Sequence, residues 1–463
     1  MRYNIPIMQS TKRYVLIAST LGAFLIPFMG SALNIALPAI GKEFKMEATL
    51  LPWVTTAYLI AAAAFLVPFG KLSDIYGRKR IFAVGTLVFS LSSLMAGLST
   101  SSAMLMASRV IQGVSGAMIF GTSIALLLSV YPAGERGRVL GINVASTYFG
   151  LSIGPFIGGI LTDHFGWRSI FYINVPLGLI AFTLLVWKLK EDWATSRGER
   201  FDIPGAIIYS LMLIAITYGL ASLPATSGIC LFAIGVLAIA AFVKWELRAK
   251  NPVLDIKLFR NNIVFAMSNL AALINYSGTF ALGFLLSLYL QYIKGFTAEN
   301  AGFILVTQPV VQALFSPMAG KLSDRFEPRI LASIGMAITA VGLCLFIFLS
   351  KDTSLAFVIG GQVLLGFGFA LFSSPNTNAV MSSVENRYYG VASSTVATMR
   401  QVGMTLSMGI AAVLFAVYIG KVQITPEYYD AFLKSVKVAF IILSCLCVAG
   451  IFASLARGKM RRE

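Results

Sequence analysis

The sequence predicts an all-α polytopic membrane protein built from two matching halves, and three observations carry that prediction. Of its 463 residues, 57% are hydrophobic and 12% charged, with a mean hydropathy of +0.82. No soluble fold could bury that much apolar surface. The apolar residues gather into fourteen runs of about 18 or more residues, the length a helix needs to cross a bilayer. The basic turn Gly70-Lys71-Leu72-Ser73-Asp74-Ile75-Tyr76-Gly77-Arg78-Lys79-Arg80 also recurs, as Gly320-Lys321-Leu322-Ser323-Asp324-Arg325-Phe326-Glu327-Pro328-Arg329. Gly, Lys, Leu, Ser and Asp keep their places in both copies, which marks a duplicated chain.

The spans are expected at 14–37, 51–70, 81–98, 104–130, 138–161, 169–187, 203–221, 228–245, 264–290, 301–320, 330–349, 355–380, 391–419 and 436–456. Lys12 and Arg13 precede the first. That run is too long for a signal-peptide core and no small-residue cleavage site follows, so an uncleaved helix is expected. An even number of spans puts both termini on one side. About 26 of the 36 Lys and Arg residues fall on that side, about eight on the other and two within spans. The excess assigns the side of the termini to the cytoplasm, in a multi-pass protein of the cell membrane. The longest links there, 188–202 and 244–262, bracket the seventh and eighth spans. The expected division is a six-helix half over 1–187, a linker over 188–262 carrying two extra helices (203–221 and 228–245), and a second six-helix half over 263–463. The extra pair reads as a peripheral hairpin.

Several function classes are excluded. The formal charge of +17 lies in short loops between spans and not on an aromatic-interleaved surface, so nucleic acid is not the expected partner. Cys230, Cys344, Cys445 and Cys447 all lie in apolar runs, and one histidine makes no metal cluster. No phosphate-binding G-x-x-x-x-G-K-[ST] string occurs, and Gly366-Phe367-Gly368 follows no strand. No cofactor is expected. No His, Asp, Glu and nucleophile collect in any span, so the chain does not read as an enzyme.

In the repeated turn, Gly70 is expected to end an apolar helix and Gly77 to permit the tight return. Asp74 can accept from free N–H groups or pair with an arginine, while Arg78, Lys79 and Arg80 face an anionic leaflet. A positive-inside loop alone would explain one copy. The pattern G-x-x-x-D-x-x-G-R-K/R resembles the signature between helices 2 and 3 of the major facilitator superfamily, although Glu327 replaces the glycine in the second copy. The resemblance implies a major facilitator fold of two six-helix halves. It makes Gly70, Asp74, Gly77, Arg78, Arg80 and Asp324 a cytoplasmic gate, in which Asp74 is expected to reach a basic residue or helix N-terminus of the opposite half.

Two arginines lie at membrane depth. Arg109 shares a helical face with Gln112, and such a charge should face a cavity or a partner, or else snorkel to the outer headgroups. Arg109-x-x-Gln112-Gly113 is similar to the family's helix-4 signature, there tied to proton coupling. Arg400, near the middle of the thirteenth span, either charges the central cavity or bonds carbonyls at a helix break near Gly403. In the fifth span, Gly150, Gly154 and Gly158 align in one groove where a second helix can pack closely, beside Pro155 and Gly159. On physics alone this is a packing seam. The string matches the exporters' helix-5 signature G-x-x-x-G-P-x-x-G-G at every fixed position.

Asn34-Ile35-Ala36-Leu37-Pro38, Trp53 to Tyr58, Gly166 to Pro176, Pro252 to Phe259 and Arg400 to Gly403 resemble the fourteen-helix drug:proton antiporter branch. That branch implies export of small amphipathic molecules, with protons as coupling partner; a monomer in the lipid bilayer is expected. One departure is Met29, where the branch carries an Asp five residues before the Asn. No carboxylate lies well inside any span, and a buried carboxylate is the usual proton carrier. The rim acids Asp163 and Asp74 remain, or transport without a proton. Further cavity candidates are Asn34, Trp53, Tyr58, Asn143, Tyr148, Asn275, Tyr276, Gln308, Gln312, Gln362, Asn376 and Asn378, each of which could equally be a satisfied interhelical bond. His164 beside Asp163 reads as a surface residue. The alternatives are a carrier of lipid-like or anionic compounds without classical proton coupling, favoured by the two arginines, or a sensor that transports nothing.

Overall fold

The computed structural model describes residues 5–189, 191–194, 196–254, 256–385 and 389–458. Fourteen helices in it are long and apolar enough to cross a membrane. They are α1 (Ser10–Glu43), α2 (Trp53–Tyr76), α3 (Arg78–Gly97), α4 (Ser102–Val130), α5 (Arg138–Phe165), α6 (Ser169–Lys188) and α7 (Ile203–Ala221). There follow α8 (Thr226–Glu246), α9 (Ile263–Ile293), α10 (Ala298–Ser323), α11 (Pro328–Phe346), α12 (Leu355–Ser382), α13 (Val391–Tyr418) and α14 (Pro426–Ala456).

Helix starts carry the expected chemistry. Ser101, Asp202, Asn262, Thr297 and Ser354 each accept from a backbone N–H in the first turn of the helix that follows, satisfying donors with no intrahelical partner. Inside the spans, hydroxyls such as Thr86, Ser90, Ser93 and Thr122 turn back onto carbonyls of their own helix, which lets them sit in the core. The helices outrun their apolar middles. α14 begins at Pro426 instead of near 436 because Phe432 and Ser435 are buried there, while Lys434 and Lys437 lower the hydropathy of the same turns. α2 likewise runs through Gly70 to Tyr76, so Gly70 does not end it. The chain reverses at Gly77, whose φ of +117° favours glycine.

The packing repeats itself. α1 packs on α5 and α6, α2 on α4, and α3 on α4 and α6; each pairing recurs eight helices later, as α9 with α13 and α14, α10 with α12, and α11 with α12 and α14. These are the two six-helix halves. The inserted hairpin of α7 and α8 is less peripheral than expected. α8 packs mainly on α7, but α7 lies against both α2 and α13. Tyr209 Oη and Ser210 Oγ donate to Ala63 O and Ala64 O of α2 at 3.4 and 2.8 Å.

Candidate functional site

Two seams join the halves: α2 with α13, covered by α7, and α5 with α10. The α5–α10 seam is tight at the end away from the basic turn. A Cβ on Gly159 would come within 2.6 Å of Ala298 O, and one on Gly302 would collide with Pro155 O. Asp163 caps α10 across the seam, accepting from the N–H groups of Ala298 at 3.3 Å and Glu299 at 2.7 Å. His164 Nε2 lies 3.1 Å from Glu299 Oε2. Further bonds link the halves at this end, from Ser287 Oγ to Asn34 O (2.7 Å), Gln291 Nε2 to Ile35 O (2.9 Å) and Ala48 N to Val422 O (2.7 Å). Towards the basic turn the same seam opens. A Cβ on Gly141 or Gly320 would meet nothing within 4 Å, and a cavity of about 750 Å³ separates α5 from α10.

That cavity is mostly apolar, walled by Val144, Phe149, Phe156, Phe303 and Leu314, with Tyr148 and Ser316 among its few polar groups. Phe149 and Leu314 are exposed on the flank of the bundle. At its inner side, Tyr148 Oη is 3.1 Å from Ser373 Oγ of the opposite half. Arg400 lies close behind: Nη2 donates to Thr377 Oγ1 at 2.7 Å, and the guanidinium stacks 5.6 Å from the Tyr276 ring. Arg400 Nε, Asn275 Nδ2 and Gln401 Nε2 are buried without an acceptor, and Asn275 Oδ1 and Asn376 Oδ1 are buried without a donor. The carboxylates of the spans all lie at helix ends: Glu43, Asp74, Asp163, Glu246, Glu299, Glu427 and Asp430. The mid-depth site is therefore cationic, aromatic and rich in unused hydrogen-bond capacity.

Arg109 occupies a buried niche between α2, α3 and α4. It is 1% exposed, donates from Nε to Val54 O at 3.0 Å and from Nη1 to Gln112 Oε1, and stacks 4.6 Å from the Tyr58 ring. Gln112 passes the network to Ser93 Oγ at 2.7 Å. Gly113 makes this possible, because any Cβ there would collide with Tyr58 O. Arg109 and Gln112 do share a face, but that face points into their own half. Met29 points inward too: it accepts from Asn174 Nδ2 of α6 at 3.2 Å and is 1% exposed, so residue 29 does not stand beside Asn34 in a cavity.

The helix-5 glycines serve the packing that their spacing predicts. Residues added at Gly150, Gly154 and Gly158 would strike Phe24, Ser31 and Ala32 of α1, while Pro155 and Gly159 meet α10. In the basic turn, Arg78 pairs with Asp74 at 2.6 Å and reaches Ser129 Oγ of α4 at 2.7 Å. Arg80 pairs with Asp192 at 3.2 Å. The side chain of Asp324 lies outside the described residues. Other candidates divide. Asn143 bonds Ser19 O and Ser123 Oγ inside the first half, Gln362 bonds Ile304 O, Asn378 bonds Ser323 Oγ, and Asn376 Nδ2 bonds Ser268 O. Gln308 and Gln312 bond each other at 3.4 Å along α10, and the Trp53 ring packs tilted against Tyr218 of α7, with centroids 5.0 Å apart. Ser316, Ser373 and Thr377 were not singled out in the sequence, since a lone hydroxyl in an apolar helix carries no distinguishing pattern. Asp192 and Glu299 were missed because their partners are more than 100 residues away.

Comparison with known proteins agrees with this geometry. Residues 19–267 and 268–462 each match the sequence profile of the Major Facilitator Superfamily. The chain is 30% identical over 451 residues to the riboflavin transporter RibZ of Clostridioides difficile, covering 96% of this chain and 97% of that one. It is 31% identical to the multidrug resistance protein Stp of Mycobacterium tuberculosis, over 89% and 77% of the two lengths. The tetracenomycin C resistance and export protein of Streptomyces glaucescens is also 31% identical, over 88% and 76%. Among solved structures, an inward-facing, unoccupied bacterial homolog of the human lysosomal transporter Spinster superposes with a TM-score of 0.72 at 16% identity, over 98% of both chains.

Proposed function

The chain belongs to the Major Facilitator Superfamily and is a transporter, not an enzyme; on that premise we propose that it exports small amphipathic molecules from the cell by alternating access, with protons as the coupling ion. The observation that carries this reading is the α5–α10 cavity, which leads from the exposed flank of Phe149 and Leu314 to the Tyr148–Arg400 cluster. An amphipath can bury its apolar part in such a groove while its polar part reaches the hydroxyls and guanidinium inside. The drug-resistance and export names of several relatives support the direction of transport.

In this reading both termini are cytoplasmic, the basic turns face the cytoplasm, and the halves are 1–187 and 263–463 around the 188–262 insert. The described conformation is then closed outside and open inside. Asp74, Arg78 and Arg80 belong to the inner gate, with Asp324 its second-half counterpart, and Asp163 on the first turn of α10 is the outer latch. Proton coupling is carried over from the branch resemblance and assigned to the rim carboxylates, because Arg109 and Arg400 cannot release a proton at physiological pH. A second reading is favoured by one observation: Arg400 keeps a buried, unused N–H in a site whose neighbouring helices hold no carboxylate at that depth. It makes the preferred cargo anionic or lipid-like.

The test is transport by the purified protein in liposomes with an imposed pH gradient, using riboflavin and matched anionic, neutral and cationic amphipathic dyes. Gradient-dependent movement of amphipaths supports the first reading, and preference for the anion supports the second. Movement of none of them in either direction overturns both.

A further inference from the structure

The two copies of the basic turn are neutralised differently. In the first, each arginine and lysine of the α3 start has an acceptor. Arg78 is held by Asp74, Lys79 Nζ donates to Leu189 O, and Arg80 pairs with Asp192. Asp192 also accepts from the Lys79 N–H at 3.0 Å, so a carboxylate from the link after α6 sits on the first turn of α3, where the helix dipole favours it. Gly77 leaves room for it, since any Cβ there would strike the carboxylate.

In the second copy Arg329 stands in register with Lys79, and the end of α14 takes the place of the end of α6. The residue met there is another cation. Arg457 is 1% exposed and donates from Nε to Ser454 O at 2.9 Å and from Nη2 to Ser454 Oγ at 2.7 Å. Ser454 Oγ lies 3.4 Å from Arg329 O and 2.9 Å from Ser333 Oγ, so the end of α14 and the start of α11 form one cluster. Arg457 Nη1 and Arg329 Nε are both buried without an acceptor, and the ion pairs of the described residues include neither arginine. Burial lowers the Arg457 guanidinium to about 10, which leaves it charged at neutral pH. A buried guanidinium with unused donors calls for an anion.

We propose that Arg329 and Arg457 bind a phosphate group where α11 starts and α14 ends, supplied by an anionic phospholipid headgroup or by free phosphate. Guanidinium donors fit phosphate oxygens better than point charges do. The cluster also lies at the end of two membrane helices, the depth at which headgroups sit. The site is separate from the transport cavity and does not depend on the cargo.

The experiment is the melting temperature of the purified full-length protein in detergent, titrated with phosphatidylglycerol, phosphatidylcholine or inorganic phosphate. Phosphatidylglycerol is expected to raise it by several degrees and phosphatidylcholine not at all. The shift should vanish when Arg329→Gln and Arg457→Gln are combined. Should that variant fail to fold, Arg457→Lys, which keeps the charge and loses the planar fork, is expected to reduce the shift by half or more. An equal rise with inorganic phosphate identifies the soluble source. Removal of residues 459–463 should leave the shift unchanged. Equal stabilisation by both lipids, an undiminished shift in the variants, or loss of the shift on removing that tail overturns the proposal.

Discussion

The two intramembrane arginines play different parts, and substitution separates them. Arg109 ties α2 to α4, so Arg109→Ala leaves Val54 O and Gln112 without their donor in a buried niche. Each such loss costs roughly 1–3 kcal/mol, and a lower melting temperature should accompany any loss of transport. Unchanged stability in that variant would show the network to be idle. Arg400 sits behind the Tyr148 wall of the cavity, where it donates to Thr377 Oγ1, and Arg400→Gln should leave the fold intact while slowing anionic amphipaths about ten-fold or more. That is the scale of one charge-assisted bond of ~1.5–3 kcal/mol. Equal slowing of cationic dyes would remove it from cargo recognition. The Arg109–Gln112 pair was legible because residues three apart on a helix are neighbours. Which way their shared face points was not, since that depends on Val54 and Tyr58 of another helix. Nor was the Tyr148–Ser373 contact, made between helices of different halves.

At the scale of helices, the glycines of α5 make a graded prediction. Gly158→Ala would bring a methyl within 2.7 Å of Ala32 Cα, whereas Gly141→Ala meets nothing within 4 Å. Backbone cannot yield as a side-chain tip can, so the first should destabilise the protein measurably and the second should be silent in thermal unfolding. The outer latch belongs to the same helix. Asp163→Asn keeps the shape but removes the negative charge from the α10 N-terminus, which is worth about 0.3–1 kcal/mol at an exposed helix end. Spin labels at Phe165 and Lys294 should then report a larger outward-open population, and an unchanged distance distribution would rule out the latch. Apolar run length predicted all fourteen helices, because each must satisfy its own backbone in hydrocarbon. It missed the reach of α14 and the role of α7, whose contacts with α2 rest on single hydroxyls.

The whole molecule is a duplicated helical bundle closed at one end and parted along α5 and α10 towards the other. Its duplication was legible in the repeated turn, since the same polar string must reverse the chain at the same place in both halves. The state was not, because a seam opens or closes without any change of sequence. With the basic turns inside, single cysteines placed in 222–227 or 351–354 should be labelled from outside intact cells; labelling only after permeabilisation would reverse the orientation. The most direct test of transport through the α5–α10 opening is a staple across it. In a background lacking the native cysteines, Ala145→Cys on α5 and Ala313→Cys on α10 both line the cavity. Amphipath transport into inside-out vesicles should stop when a short bifunctional thiol reagent joins them and survive when either cysteine is modified alone. Undiminished transport by the fully joined protein would contradict this account.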